Sequence, residues 1–216
     1  SPDDLSSLMG LSEKLSQLNF ERNMNWVRPS KPSENVRQAI FAFKGDVYQG
    51  LDASSLSTSE IKYTQKNLLI LSGLYGMLKP LDLMYPYRLE MGTKMKNKRG
   101  DNLYEFWGSK INRSINELAK ENKSKAIVNL ASVEYFSVLS KDALDLPVIS
   151  PVFKDYKNGQ YKIISFFAKK ARGTMTRFIM QNKVKKVEDL AGFNLDGYRY
   201  SEKESEEFSP VFLRKS

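Results

Sequence analysis

The sequence contains neither cysteine nor histidine. Without thiol or imidazole the chain has no zinc site of the Cys/His kind, no Ser-His-Asp or Cys-His nucleophile system, and no disulfide or thiol switch. Any metal would rest on oxygen ligands alone, and no metal site and no cofactor is expected. Long apolar runs are missing too. The longest, residues 39–43 and 68–71, fall far short of the roughly 20 residues of a membrane helix, so no membrane association is expected. No basic-then-apolar leader opens the chain, and cysteine-free composition carries no mark of an oxidising compartment, which leaves the cytoplasm as the expected location. The first residue is Ser1 rather than Met, so the natural amino terminus is expected to lie further upstream.

What is present suits a packed core. Hydrophobic residues make up 41% and aromatics 12% of 216 residues, and a chain of this length buries roughly 70% of the surface its unfolded form exposes. One domain spanning 1–216, monomeric, is expected. The formal net charge is +9, and its placement is uneven. Lys154, Lys157, Lys162, Lys169, Lys170, Arg172, Arg177, Lys183, Lys185 and Lys186 face one acid, Asp155, and so account for the whole excess. Lys94, Lys96, Lys98 and Arg99 form a second cluster in a polar stretch expected to be an exposed loop. Acids gather in 201–207, expected to be a solvated loop. A concentrated cationic field attracts polyanions, nucleic acid above all, although many basic proteins bind none.

Periodicity supplies the elements. Ser1, Pro2, Asp3 and Asp4 have the chemistry of a helix start, and Leu8, Leu11, Leu15 and Leu18 make one apolar stripe along the helix that follows. Residues 33–39 read as a short helix running into the apolar 39–43, which is either a strand or the helix end. Thr58 or Ser59 caps a helix through Lys66, and 68–71 is a short strand. Tyr87 to Met91 is extended after Pro86. Leu103, Trp107, Ile111, Ile115 and Leu118 define one long amphipathic helix. Residues 126–130 form a strand and 133–139 a short helix. Strands at 148–153 and 161–167 are joined by the Asn158-Gly159 turn dipeptide. A helix through about Lys183, a short one at 187–191, a turn at 192–197 and a strand at 208–213 complete the chain. The expected class is mixed α/β (α+β), with a mixed sheet and surrounding helices.

Several corners carry chemistry. In 166–178, Phe167, Ala171, Met175 and Phe178 share one side of a helix, while Lys169, Lys170, Arg172, Thr176 and Arg177 take the rest. Gly173 lies among the cations, where an incoming backbone could approach; a solvated lysine face is the plain alternative. Lys44-Gly45-Asp46 follows a buried run, and Asp46 either caps the next turn or meets a ligand. Gly73 and Gly76, followed by Lys79, could turn backbone amides towards an anion, or simply form a tight turn. Arg88 and Glu90 share a face and either pair together or line a cleft. Ser132 caps a helix carrying Glu134. Were these corners to converge, Asp46, Glu90 and Glu134 would form an acidic pocket beside Lys44, Arg88 and Lys169.

The segments Lys44-Gly45-Asp46-Val47-Tyr48, Leu71-Ser72-Gly73-Leu74-Tyr75-Gly76, Pro86-Tyr87-Arg88-Leu89-Glu90-Met91-Gly92, Asn129-Leu130-Ala131-Ser132 and Phe167-Ala168-Lys169-Lys170-Ala171-Arg172-Gly173 resemble, in wording and order, the YaaA peroxide-stress protein family. The resemblance spans essentially the whole chain, the family's first fifty or so residues being absent. It implies a bacterial cytoplasmic protein of the peroxide stress response that limits free iron and oxidative damage, with an α/β fold that binds duplex DNA in a positively charged cleft. It also implies a helix-hairpin-helix element, best placed at 185–193, although position 194 is Asn where a second glycine is usual. Lys169, Lys170, Arg172 and Arg177 are the leading phosphate contacts, with Lys44, Lys79, Arg88 and Lys94 behind them. Lacking His and Cys, the chain has no Glu-x-x-His di-iron motif and no peroxidatic thiol, which argues against direct iron storage. A binder without catalytic activity is expected. The alternative is an enzyme acting on a nucleotide or nucleobase, with Asp46, Glu90 or Glu134 as acid/base groups.

Overall fold

The computed structural model describes residues 1–215. Ser1 caps α1 (Pro2–Met9) in a capping box: its hydroxyl accepts the Asp4 amide proton while the Asp4 carboxylate accepts from the Ser1 amino group. The single leucine-striped helix expected here is in fact two. Gly10, at φ 62°, ends α1, and α2 (Glu13–Met24) restarts the coil. The stripe is broken with it, for Leu11 is buried while Leu15 and Leu18 stay 43% and 39% exposed.

The helix expected over 33–39 is absent. Its place is taken by a turn bridging Ser33 and Val36 and by β1 (Arg37–Gln38), and the apolar run is helical, α3 (Ala39–Ala42). Tertiary hydrogen bonding decides this: the Ala39 and Ile40 amides donate to the carbonyls of Asp82 and Pro80. Next come α4 (Asp46–Leu51) and α5 (Thr58–Asn67). The α5 cap lies one residue earlier than expected, at Ser57, in a reciprocal pair with Glu60.

An antiparallel hairpin of β2 (Ile70–Ser72) and β3 (Gly76–Leu78) follows, then β4 (Leu83–Met84), which pairs with β1. The long amphipathic helix is again two, α6 (Leu103–Trp107) and α7 (Ser109–Glu121), because Gly108 at φ 47° turns the chain between them. The later elements are β5 (Ile127–Val128), α8 (Val133–Phe136), β6 (Val148–Ile149), β7 (Val152–Lys157), β8 (Gln160–Lys162), α9 (Ser165–Asn182), β9 (Arg199–Tyr200) and β10 (Val211–Arg214). Asn158 and Gly159, both at positive φ, close the β7–β8 hairpin as expected. The strand expected to reach Phe167 stops at Lys162, since Phe167, Ala171 and Met175 are spaced for a helix and lie on α9.

The fold is mixed α/β, and the chain packs as two compact units. One comprises Ser1–Ala42, Leu68–Ser114 and Ser132–Ala143; the other comprises Phe43–Asn67, Ile115–Ala131 and Leu144–Ser216. The second contains a four-stranded mixed sheet of order β8-β7-β10-β9, parallel at β7/β10 and antiparallel on either side. Its core is Ile149, Phe153, Ala171, Met175, Leu190, Phe193, Tyr198 and Phe212, with four aromatic rings packed edge-on or stacked. The buried face of α9 lies in that core.

Candidate nucleic-acid interface

The basic helix is built around a close crossing. Gly50 of α4 and Gly173 of α9 meet so tightly that a Cβ on Gly173 would run into the Val47 carbonyl oxygen and stand 2.8 Å from the Leu51 nitrogen. One on Gly50 would strike the Lys170 carbonyl and stand 2.9 Å from the Thr174 nitrogen. The backbone that Gly173 admits is therefore the protein's own α4. The glycine that seemed set among cations for a ligand is a packing residue, and Thr176, assigned to the cationic side, is buried with its hydroxyl donating to the Arg172 carbonyl.

That packing sorts the cations of α9. Arg177 turns inward and donates to the carbonyls of Leu51 and Asp52 at 3.1 and 3.0 Å, with the Asp52 carboxylate 3.7 Å away. It thereby satisfies carbonyls at the end of α4, a role of cations at helix C-termini. Lys170 lies 3.6 Å from Asp196. Lys169 and Arg172 take part in no ion pair among the described residues. Arg172 is half-buried, its Nε donating to the Ala168 carbonyl, and burial lowers its pKa. Lys44 is exposed just before α4.

Asp155, the lone acid of the basic stretch, is buried at 3% exposure. One carboxylate oxygen takes the Arg214 Nε–H at 2.5 Å and the other the Tyr198 hydroxyl at 2.9 Å. The Arg214 guanidinium lies over the rings of Phe167 and Tyr198 at 4.5 and 4.6 Å. Sequence reasoning missed this network. The one available signal was an acid alternating with Phe153 in a strand, which places both on the same, inward face.

The remaining candidates lie in the other unit. Ser72 is fully buried, its hydroxyl 2.6 Å from that of Tyr87 and accepting the Tyr75 amide proton. A Cβ at Gly73 would collide with the Leu89 carbonyl, and Gly76, at φ 74°, has the Trp107 ring against it. The glycine pair is thus a tight turn packed by its own chain. Lys79 is half-buried in a turn where its amide donates to Asp82, and Lys94 is exposed with Lys96, Lys98 and Arg99, as expected of a loop. Arg88 and Glu90 pair with each other at 3.2 Å, both well exposed.

Ser132 caps α8 as expected, and the Glu134 carboxylate accepts the Gly92 amide proton at 2.9 Å. The Tyr135 phenol is pushed up to about 12 by burial first, then by Tyr87, Glu134 and Glu90. Glu90 and Glu134 therefore both act on Tyr135, whereas Asp46 belongs to the other unit. Asp46 is not a cap: Gly45, at φ 118°, holds that position and Asp46 is the first residue of α4. Among the described residues no three Asp or Glu side chains are grouped to hold a metal ion, and no helix is long and apolar enough to cross a membrane.

Residues 1–204 match the family described as peroxide stress protein YaaA. A UPF0246 protein of Aliivibrio fischeri is 56% identical over 214 residues, covering 99% of this chain and 82% of its own. One from Shewanella baltica is 56% identical over 214 residues, covering 99% and 83%, and one from Colwellia psychrerythraea 54% identical over 215 residues, covering 100% and 83%. With a family match over nearly its full length and identities above one half, the chain belongs to the YaaA family of peroxide stress proteins.

Proposed function

We propose that the protein acts in peroxide stress by binding duplex DNA through the cations of α9, limiting iron-dependent damage there. One observation carries this: Arg172 is a half-buried guanidinium that pairs with no acid among the described residues, and Lys169, equally unpaired among them, is three residues away on the same helix. A cation that has lost water and gained no counter-charge is poised for a phosphate, which restores both charge and hydrogen bonds. Lys170, Lys44 and the lysines after α9 extend the field. Arg177 already serves α4, so it ranks last among the four leading contacts. The helix-hairpin-helix element that the resemblance implies at 185–193 would set Lys185 and Lys186 beside α9 and add to this field.

Titration of a fluorescently labelled duplex across salt concentrations tests the proposal. Each phosphate neutralised contributes a slope of about −0.9 in log K against log salt. The Lys169/Lys170/Arg172 triple alanine variant is expected to bind more weakly with a shallower slope. Wild-type affinity and slope in that variant would rule these contacts out.

A second proposal, an enzyme acting on a nucleotide or nucleobase, draws on Glu134, whose carboxylate accepts the Gly92 amide proton at 2.9 Å, two residues past Glu90. Incubation with nucleotides and nucleobases, followed by chromatography, tests it. Turnover that is lost in Glu134→Gln supports the enzyme, and no turnover of any of them sinks it.

A further inference from the structure

We infer, resting on the DNA-binding proposal, that Phe166 is a stacking platform for an unpaired DNA base, seated beside the phosphate contacts Lys169 and Lys170. Phe166 is 56% exposed, and Ile163 just before it is 61% exposed. An aromatic side chain left this open forgoes the burial that most phenylalanines obtain. Its position on α9 gives the reason. Lys169 and Lys170 lie three and four residues on, so all three share one face of the helix. Four residues of helix advance about 6 Å, which sets a flat apolar ring within one nucleotide's reach of an ammonium group.

The ring is also braced. Phe167 contacts Phe166 with centroids 5.6 Å apart and planes at 63°. Phe167 is in turn covered by the Arg214 guanidinium, which Asp155 fixes. Restricted side chains lose little freedom on binding. Cations on the same face favour a polyanion over an apolar peptide, and the part of a polyanion that stacks on a ring is a nucleobase. In an intact duplex the bases are already stacked on one another, so the contact is open only to a base that is unpaired. Aromatic rings beside cationic tracks hold single strands in this way, without reading sequence.

The test compares a labelled single strand with a duplex of the same length at one salt concentration, using the full chain. Phe166→Ala is expected to weaken single-strand binding by roughly 5- to 150-fold, the range alanine substitution shows for one stacked base, with duplex affinity unchanged within twofold. Phe166→Tyr is expected to restore it. A 2-aminopurine placed in the single strand reports stacking directly: its fluorescence falls on binding to the wild type and recovers in Phe166→Ala. Equal losses on both DNAs, or none on either, would overturn the platform while leaving DNA binding intact. Failure of the DNA-binding proposal reads out separately, as no saturable binding of either DNA by the wild type, and failure of its contacts as unchanged affinity and salt slope in the Lys169/Lys170/Arg172 variant.

Discussion

Asp155 shows how much a single side chain can conceal. In the sequence it is the lone acid among ten cations and looks like a minor correction to a net charge. In the fold it is buried, and its partner Arg214 lies 59 positions further on. No local pattern links strand residues that far apart, so the pair was illegible, whereas the exposed Lys94 loop and the Ser132 cap needed only their neighbours. Removing one member of a buried ion pair leaves the other charge stranded, at about 3–5 kcal/mol. Arg214→Ala is therefore expected to lose about that much stability in urea unfolding. Tyr198 adds a pH dependence. Burial, and then the hydrogen bond it donates to Asp155, raise its phenol above the ordinary value of 10.0, and Tyr135 is raised to about 12. Above pH 10 the unfolded chain sheds these protons while the folded one keeps them, so stability is intact below pH 10 and is lost as pH rises towards 12 and beyond. Melting temperatures over that range, with absorbance at 295 nm, should show tyrosines ionising together with unfolding. Tyr198→Phe should flatten the decline.

Among the elements, those with a complete local signature were readable. The capping box of α1, the Asn158-Gly159 hairpin and the apolar side of α9 all stand where residue chemistry puts them. Those decided by a partner elsewhere were not. The α6/α7 break rests on one glycine inside an otherwise helical pattern, and β1 exists because the 80–84 segment takes its neighbours' hydrogen bonds. The α4–α9 crossing belongs to this second group, since Gly173 looked open until Gly50 was placed against it. It gives a prediction whose sign two effects contest. Alanine is favoured over glycine in a helix interior by about 1 kcal/mol, but overpacking costs about 1–3 kcal/mol or more, and here the obstacle is backbone that cannot rotate away. Gly173→Ala should thus lose about 2 kcal/mol, which in a chain of this size lowers the melting temperature by roughly 4–8 °C.

Each of the two units is assembled from three separate stretches of chain. The mixed α/β class could be read from alternating periodicities, because it requires only that both kinds of element occur. Which corners come together is fixed by long-range packing that periodicity does not encode; Glu90 and Glu134 fall in one unit and Asp46 in the other. The interleaving predicts that residues 144–216 expressed alone, though they hold α9 and the four-stranded sheet, will show no cooperative melt by circular dichroism. They lack α4 to cover Gly173 and β5 to pair with β6. During synthesis the same glycine contact imposes a wait. Gly50 leaves the ribosome 123 residues before Gly173, an interval of about 6–25 s at bacterial elongation rates. For that time a six-residue helix lacks the partner its glycine is shaped for, and the nascent chain must reach the end of α9 before α4 can be locked in place.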